Sequence, residues 1–225
     1  MSSKLKIVYA VVKYDIISRK KQYIGKMFRY ISDQNKTGGI FLHREIMIKK
    51  KGEDCVSAVI KCLDMNYLDK ILELEKSIYD DLEDKNYYSC SSRKDYSEII
   101  LKKGKVIGCV VKESDELVAM GVYASHGDDE HNYGYDLNVK GEDLLRVGQI
   151  ESTVVSPEYR GNGLQNIICD ILEGLSKQNC DKMIAATVYP ENTYSLNTFK
   201  KRGYKVMADK LKYGGLRRYV MMKEI

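Results

Sequence analysis

The stretch STVVSPEYRGNGLQNIICDIL, residues 152–172, joins an alternating run of β-branched residues to an apolar series with helical spacing. Arg160, Gly161 and Gly163 stand between the two patterns. The first N–H groups of a helix have no intrahelical acceptor, and the helix dipole makes that end partly positive. Glycine lets the chain turn sharply and lets a ligand approach the backbone closely. The junction is therefore suited to an anion such as a pyrophosphate, although a plain turn with a helix cap would use the same glycines.

The elements on either side of this junction predict the fold class. Residues 53–225 show the order β-α-α-β-β-β-α-β-α-β-β, with helices at 163–177 and 193–202 and a final hairpin that turns at Gly214-Gly215. Strands joined by short turns are followed by strands that alternate with helices. This order predicts an α/β fold with a mixed sheet and helices on both faces.

The first part of the chain, residues 1–52, shows a strand, a helix and a second strand before the charged stretch KKKGED. This block is too small for a stable core of its own, so we predict an accessory segment attached to the domain at 53–225. The helix carries an apolar stripe from Ile16 to Ile31 that needs a partner. The sheet of the main domain or a second copy of the chain, as in a homodimer, would provide one.

Composition excludes several classes of protein. The apolar share of 44% and the presence of only two prolines are typical of a chain that folds throughout. No run of about 18 apolar residues and no signal peptide is present, which predicts neither a membrane span nor export. The six cysteines form no C-x-x-C pair, as expected of a reduced cytoplasmic protein. The net charge of +5 is spread along the chain, so nucleic acid is not an expected partner, even with the basic run KLKYGGLRR.

Two pieces of the sequence carry a family resemblance. VVSPEYRGNGLQNIICDIL, followed by VYPENTYSLNTFKKRGYKV, resembles the GNAT superfamily of acyl-CoA-dependent N-acyltransferases, whose hallmark is Arg/Gln-x-x-Gly-x-Gly/Ala. A Rossmann G-x-G-x-x-G and a P-loop Lys-Ser/Thr pair are both missing. The resemblance implies a GNAT-like fold and acetyl-CoA as the cofactor. Gln165 departs from the family pattern, which has a small residue at its position.

The resemblance also implies the residues that bind coenzyme A. The loop amides would hold the pyrophosphate, and the backbone of the preceding strand would pair with the pantetheine arm. An asparagine after the next strand commonly bonds that arm in the family, although the same residue type is also favoured as a helix N-cap. The implied cofactor-binding residues are Val154, Val155, Arg160, Gly161, Asn162, Gly163, Leu164, Gln165, Asn192 and Ser195.

Transfer of an acyl group to an amine needs alignment of the reactants and removal of a proton from the amine. Glu151 is the candidate base because it lies on the strand that leads to the cofactor loop, where the family often has a carboxylate. Strand alternation predicts that Glu151 faces away from Ile150 and Ser152. A carboxylate that is merely ion-paired at the surface is the alternative.

The general acid is less well indicated. Many members of the family carry a tyrosine near the thioester sulfur, but Phe199 occupies that position here. Tyr194 is the candidate acid, with Tyr204 and Tyr189 as alternatives. Departure of an unprotonated thiolate would need none of them.

The histidines His126 and His131 flank an acidic run, which raises the question of a metal. Their spacing matches no standard zinc pattern, so no metal is expected. The sequence thus predicts an acetyl-CoA-dependent N-acetyltransferase that acts directly on a small-molecule or peptide amine. A non-catalytic acyl-CoA-binding or partner-binding module of the same fold is the alternative, because Phe199 and Gln165 depart from the family pattern.

Overall fold

The computed structural model describes residues 43–225, and eight of their strands form a single sheet. The strands are β1 (His43–Lys49), β2 (Cys55–Leu63), β3 (Gly104–Val111), β4 (Leu117–Ser125), β5 (Val147–Val155), β6 (Met183–Val188), β7 (Lys205–Lys212) and β8 (Leu216–Glu224). The helices are α1 (Leu68–Asp80), α2 (Arg93–Glu98, continued by a wider turn over Ile99–Lys103), α3 (Leu164–Gln178) and α4 (Thr193–Lys201). The predicted order of elements from β2 onwards is confirmed.

The sheet order is β1-β2-β3-β4-β5-β6-β8-β7. Neighbouring strands are antiparallel except β5 and β6, which run parallel because α3 connects them as a crossover. This mixed sheet is the predicted fold class. The parallel β5–β6 pair lies next to the middle of the sheet, which falls between β4 and β5.

Helices cover both faces of the sheet. Helix α1 buries Leu68, Ile71, Leu74 and Ile78, a spacing of three and four residues that forms one face of a helix. These residues share a core with α2 and one face of β3 and β4. Helices α3 and α4 pack with Ile150 and Ile184 in a second core. The edge of β5 next to β6 therefore lies between two packed layers.

An ion network ties α3 to the C-terminal part of the chain. Glu173 of α3 accepts from Arg202 Nε and from Lys223 Nζ, each at 2.8 Å. Burial by itself would raise the pKa of Glu173, but the hydrogen bonds from Arg202 and Lys223 outweigh it and lower that pKa. The network stabilises the packing of α3 and α4 as long as Glu173 is ionised.

Strand β5 contains an irregularity at Glu151. Tyr123 of β4 pairs with Ile150, and the next residue back, Val122, pairs with Ser152, so Glu151 is the extra residue of a β-bulge. The bulge interrupts the alternation of side chains. Ile150 packs in the core formed with α3, whereas Ser152 bonds Tyr88 on the other side of the sheet. The expectation that Ile150 and Ser152 share one face is therefore wrong.

Strand β1 belongs to the main sheet, where Ile46 and Ile48 are buried and pair along β2. It lies before the boundary predicted at residue 52, and the compact unit that contains it spans Leu42–Ile225. The helix stripe from Ile16 to Ile31 lies outside the described residues, so the role of the segment 1–52 stays a prediction. None of the helices in the described part is long and apolar enough to cross a bilayer.

Candidate active site

A cavity of about 1340 Å³ opens where β5 and β6 diverge. It is lined by the strand–helix junction before α3, by the ends of β5 and β6, by the start of α4 and by the loop after β4. A volume of this size exceeds what a single drug-sized ligand fills, which is about 300 to 1,000 Å³. The cavity therefore has room for a large cofactor and a second molecule.

The junction predicted to bind a pyrophosphate forms one wall. Gly161 and Gly163 have φ angles of +95° and +70°, a region that favours glycine. A Cβ added to either residue would meet no protein atom within 4 Å. The glycines are thus needed for the turn, and they leave open space beside the backbone. Gly163 is the N-cap of α3 and makes no side-chain cap, so the first amides of α3 are available to an anion.

The polar side chains of this loop have different contacts. Asn162 donates to the Lys49 carbonyl and accepts from the Lys49 amide, each at 2.8 Å, so its side chain fixes the loop to β1. Gln165 donates to Thr153 Oγ1 of β5 at 3.1 Å, so its larger side chain is held toward the strand. Arg160 is exposed and lines the cavity with no carboxylate partner among residues 43–225.

Strands β5 and β6 separate beyond Ile150. The parallel register ends at the pair of Ile150 with Ala186, while β5 continues to pair with β4 as far as Val155. The backbone of Val154 and Val155 that faces β6 therefore has no strand partner within the described chain. An extended polar ligand can complete this open edge in the manner of an added strand.

Asn192 and Ser195 lie at the start of α4 and line the same cavity. The Asn192 side-chain oxygen accepts from the Ser195 amide at 3.0 Å, which makes Asn192 the N-cap of this helix. Its side-chain nitrogen has no acceptor among the described residues and remains available to a ligand. The cap and the predicted ligand contact are thus compatible.

Glu151 lies in the gap between the separating strands. Its Oε1 atom is 2.5 Å from His126 Nε2 and accepts from Gln149 Nε2 at 3.3 Å. The His126 side chain is only 7% exposed and that of Glu151 19%. His126 Nδ1 is buried and has no hydrogen-bond partner in the described part of the chain. The bulge thus places a carboxylate in the cavity and pairs it with a histidine from the end of β4.

Two tyrosines from distant parts of the chain lie near Glu151. Tyr133 and Tyr213 share a hydrogen bond of 2.6 Å between their hydroxyl groups, and Tyr213 also contacts Thr187 Oγ1 at 2.9 Å. Burial raises the pKa of Tyr133 well above its usual range, and the neighbouring Tyr213 and Glu151 raise it further. Both hydroxyl groups are therefore neutral at physiological pH and can orient a polar ligand.

A second buried carboxylate, Glu75 of α1, lies behind the opposite wall. Its Oε1 atom accepts from the Tyr88 and Tyr96 hydroxyl groups, each at 2.8 Å, and Tyr88 in turn contacts Ser152 Oγ at 2.5 Å. Burial raises the pKa of Glu75, although the hydrogen bonds from Tyr96 and Tyr88 favour its ionised form. This network fixes the Tyr88 ring in the cavity wall and connects it to β5.

Comparison with known proteins identifies the family. Residues 68–204 match the Acetyltransferase (GNAT) family. The chain belongs to this family. Comparison with curated protein sequences gave no match.

Solved structures show the same fold. The structure of the NatC complex bound to Gag peptide and CoA contains a chain with 19% identity and a TM-score of 0.56, and the match covers 75% of this chain and 98% of that one. The ribosomal-protein-S18-alanine N-acetyltransferase from Escherichia coli has 13% identity, a TM-score of 0.54 and coverage of 75% and 94%. The GNAT domain of S. lividans PAT has 13% identity, a TM-score of 0.56 and coverage of 83% and 99%.

The cofactor of this GNAT acetyltransferase is acetyl-CoA, and the junction fits its charged part. A pyrophosphate needs backbone donors without competing acceptors, space beside the backbone and positive charge nearby. Gly161 and Gly163 provide the space, the start of α3 provides the donors, and Arg160 provides the charge. When bound, the cofactor supplies an activated acyl thioester.

The predicted acids differ in where they lie. The side chain of Tyr194 is 88% exposed at the rim of the cavity, and its hydroxyl has no partner among the described residues. Tyr189 also lines the cavity, whereas Tyr204 does not. Tyr204 is 3% exposed and packs edge to face on Phe199, with ring centroids 5.0 Å apart. Tyr194 stays a prediction, and Tyr204 is buried behind the cavity wall.

Sequence reasoning left out several cavity residues or gave them another role. His126 was considered only as a metal ligand; within residues 43–225 no group of three His, Cys, Asp or Glu side chains could hold an ion. In the basic run KLKYGGLRR, Lys212 pairs with Asp136, Arg217 pairs with Asp209, and Arg218 is buried without a carboxylate partner in the described chain. No local sequence pattern predicts contacts between residues this far apart in the chain.

Proposed function

We propose that this GNAT acetyltransferase transfers an acetyl group directly from acetyl-CoA to an amine, with both reactants bound in the one cavity and Glu151 acting as the base. The observation that carries the proposal is the position of Glu151: the carboxylate lies at the point where β5 leaves β6, inside the cavity that also contains the pyrophosphate-type loop. Direct transfer requires this proximity of base, amine and thioester.

The residues of the chain would act as follows. The loop from Arg160 to Gly163 and the open edge of β5 hold the cofactor, with further contacts from Asn192 and Ser195. Glu151 accepts the proton of the acceptor amine, directly or through a water molecule, because most aliphatic amines are protonated at neutral pH. His126 orients the carboxylate through the Nε2 contact.

The departing thiolate needs solvent or a donor. Tyr194 at the rim is the candidate donor, and departure without a protein acid remains the alternative. Phe199 leaves no hydroxyl at the family's usual position. The acid is therefore expected to contribute less to the rate than Glu151.

The test is an assay of free thiol production from acetyl-CoA with a panel of amines, measured against a background without amine. Glu151→Gln should lower turnover by about a hundredfold at neutral pH, within the range of general base catalysis, and lose less at alkaline pH where more amine is unprotonated. Glu142→Gln is the control, because Glu142 is exposed and does not line the cavity. Equal loss at every pH would remove Glu151 from the proton transfer.

A non-catalytic acyl-CoA-binding module is the second candidate, favoured by Phe199 and by the solvent exposure of Tyr194. It predicts that coenzyme A raises the melting temperature while no amine increases thiol production. The two candidates are thus separated by the same pair of measurements.

A further inference from the structure

Arg218, the third residue of β8, is a buried cation in the cavity wall. The residue is 3% exposed, yet it lines the cavity. Its guanidinium carbon lies 5.7 Å from the centre of the Tyr213 ring and 5.8 Å from that of Tyr189. Such aromatic faces hold a guanidinium in place and attract its charge weakly.

The hydrogen bonds of Arg218 are largely unused. Nη1 donates to the backbone carbonyl of Arg217 at 2.9 Å, and the other guanidinium N–H groups have no acceptor among residues 43–225. No carboxylate of the described chain pairs with it. Burial lowers the pKa of Arg218, but a guanidinium stays protonated in proteins. Since Arg218 lines the open cavity and its other nitrogens are not among the fully buried unpartnered atoms, these N–H groups can donate to an anionic ligand in the cavity.

Other cations near the cavity have partners. Lys103 pairs with Asp129 at 3.0 Å, and Lys212 pairs with Asp136 at 2.5 Å. Arg217, the neighbour of Arg218 in the chain, is exposed and pairs with Asp209 at 2.7 Å. Arg160 is unpaired but belongs to the loop that suits the pyrophosphate. Arg218 is thus a second cavity-lining cation without a carboxylate partner in the described chain, and its contacts are with Tyr189, Tyr213 and the Arg217 carbonyl rather than with that loop.

Glu151 and Arg218 lie near the same pair of hydroxyl groups. Arg218 packs on the Tyr213 ring, and the Tyr213 hydroxyl bonds that of Tyr133 at 2.6 Å. Both tyrosines line the same cavity as Glu151. The Tyr213 hydroxyl also contacts Thr187 Oγ1 at 2.9 Å, so two hydrogen-bonding partners fix its position in the cavity wall. The acceptor end of the cavity therefore offers a negative group and a positive group together.

We propose that Arg218 binds a carboxylate of the acceptor, so that the enzyme acetylates amines which carry a carboxylate in the same molecule. The planar guanidinium fork matches a carboxylate with two parallel hydrogen bonds. Glu151 faces the nitrogen of the same molecule. The proposal rests on the proposed function for the reacting nitrogen, but the carboxylate contact depends on Arg218 alone. A free amino acid and the acidic first residue of a peptide share this chemistry.

The test compares acceptors in matched pairs. One pair is 4-aminobutyrate and butylamine, which differ in the carboxylate. The other is Asp-Gly amide and Asn-Gly amide, which differ in the side-chain charge of a peptide. The wild-type kcat/KM should be about 10 to 100 times higher for the carboxylate member of at least one pair, as expected for a charge-assisted hydrogen-bonded pair. The pair that shows the preference identifies the source of the carboxylate.

Variants then assign the preference to the guanidinium. Arg218→Gln should reduce the ratio to about one, mainly through KM, while Arg217→Gln should leave it unchanged because Arg217 is exposed on the same strand. Arg218→Lys should keep part of the ratio, since it retains the charge but loses the fork. A ratio near one for both pairs in the wild type, or a ratio that persists in Arg218→Gln, would overturn the proposal.

A binding measurement separates this proposal from the proposed function. In the presence of coenzyme A, 4-aminobutyrate or Asp-Gly amide should raise the melting temperature of the wild type but not of Arg218→Gln. This result without thiol production would retain the carboxylate site and reject the transfer reaction. Thiol production without a carboxylate preference would do the reverse. Should Arg218→Gln fail to fold, Arg218→Lys decides, and an acceptor ratio equal to that of the wild type would overturn the proposal.

Discussion

Gly163→Val is expected to remove most of the response of the protein to coenzyme A while leaving it folded. Gly163 has a φ of +70°, and an added Cβ meets no protein atom within 4 Å, so the substitution introduces strain but no clash. A left-handed conformation costs a residue with a Cβ about 1–2 kcal/mol. For a domain of about 150 to 250 residues, this lowers the melting temperature by about 2 to 8 °C.

The loss of cofactor binding should be larger than the loss of stability. The valine side chain would occupy the space left by Gly163, where a phosphate must approach the amides at the start of α3. Loss of about two charge-assisted hydrogen bonds is worth about 3 kcal/mol, or about a hundredfold in affinity. At about 100 times the wild-type Kd, coenzyme A stabilises the wild type by about 2.7 kcal/mol, a shift of about 5 to 11 °C. The variant at the same concentration keeps about 0.4 kcal/mol, a shift of about 1 to 2 °C.

Thermal unfolding with and without coenzyme A measures both effects. Gly141→Val is the matched control, since Gly141 has a φ of +60° and an added Cβ there would also meet no protein atom within 4 Å. Gly141 does not line the cavity. It should show the strain of the substituted residue and the full coenzyme A shift. A full shift in Gly163→Val would mean that the phosphates bind elsewhere.

Three further changes test the packing around the site. Glu173→Gln should lower the melting temperature at neutral pH. The pKa of Glu173 in the folded protein is below its ordinary value of 4.5, so the ionised side chain contributes to stability above that pH and loses this contribution as the pH falls through the folded pKa. The variant should therefore lose less stability on acidification than the wild type. Gly121→Ala should cost about 1–3 kcal/mol in a denaturant titration, because the added Cβ would lie 2.4 Å from Ile168 Cγ2 in the core. A chain that begins at residue 53 should be less stable than one that begins at residue 42, because it lacks β1. Equal melting temperatures for the two truncations would contradict this reasoning.

The sequence predicts the fold well because the fold depends on local patterns. Helical spacing over α1 and α3, and the glycines at 214 and 215 between two alternating runs, determine elements whose order leaves few arrangements. The glycines before α3 likewise predict the cofactor loop from residues that are adjacent in the chain. These parts of the prediction needed no knowledge of distant contacts.

The surroundings of Glu151 and Arg218 in the cavity could not be predicted in this way. The bulge at Glu151 depends on the register between β4 and β5, and strand alternation alone predicts the wrong face for its neighbours. His126 is 25 residues from Glu151 in the chain, and it stands in an acidic loop that looks solvated. Arg218 lies in a basic run, and only the packing of Tyr189 and Tyr213 around it shows that it is buried.

The contact between Asn162 and β1 has a thermodynamic consequence for ligand entry. One side-chain amide both donates to and accepts from the backbone of Lys49, as a neighbouring strand would, so the loop is held in shape before any ligand arrives. Fixing the backbone of a residue costs about 1–2 kcal/mol of conformational entropy, and here that cost is met during folding rather than during binding. Asn162→Ala should transfer the cost to the binding step. Calorimetry should then show a less favourable binding entropy for coenzyme A with little change in enthalpy, since the amides at the start of α3 are the same in both proteins.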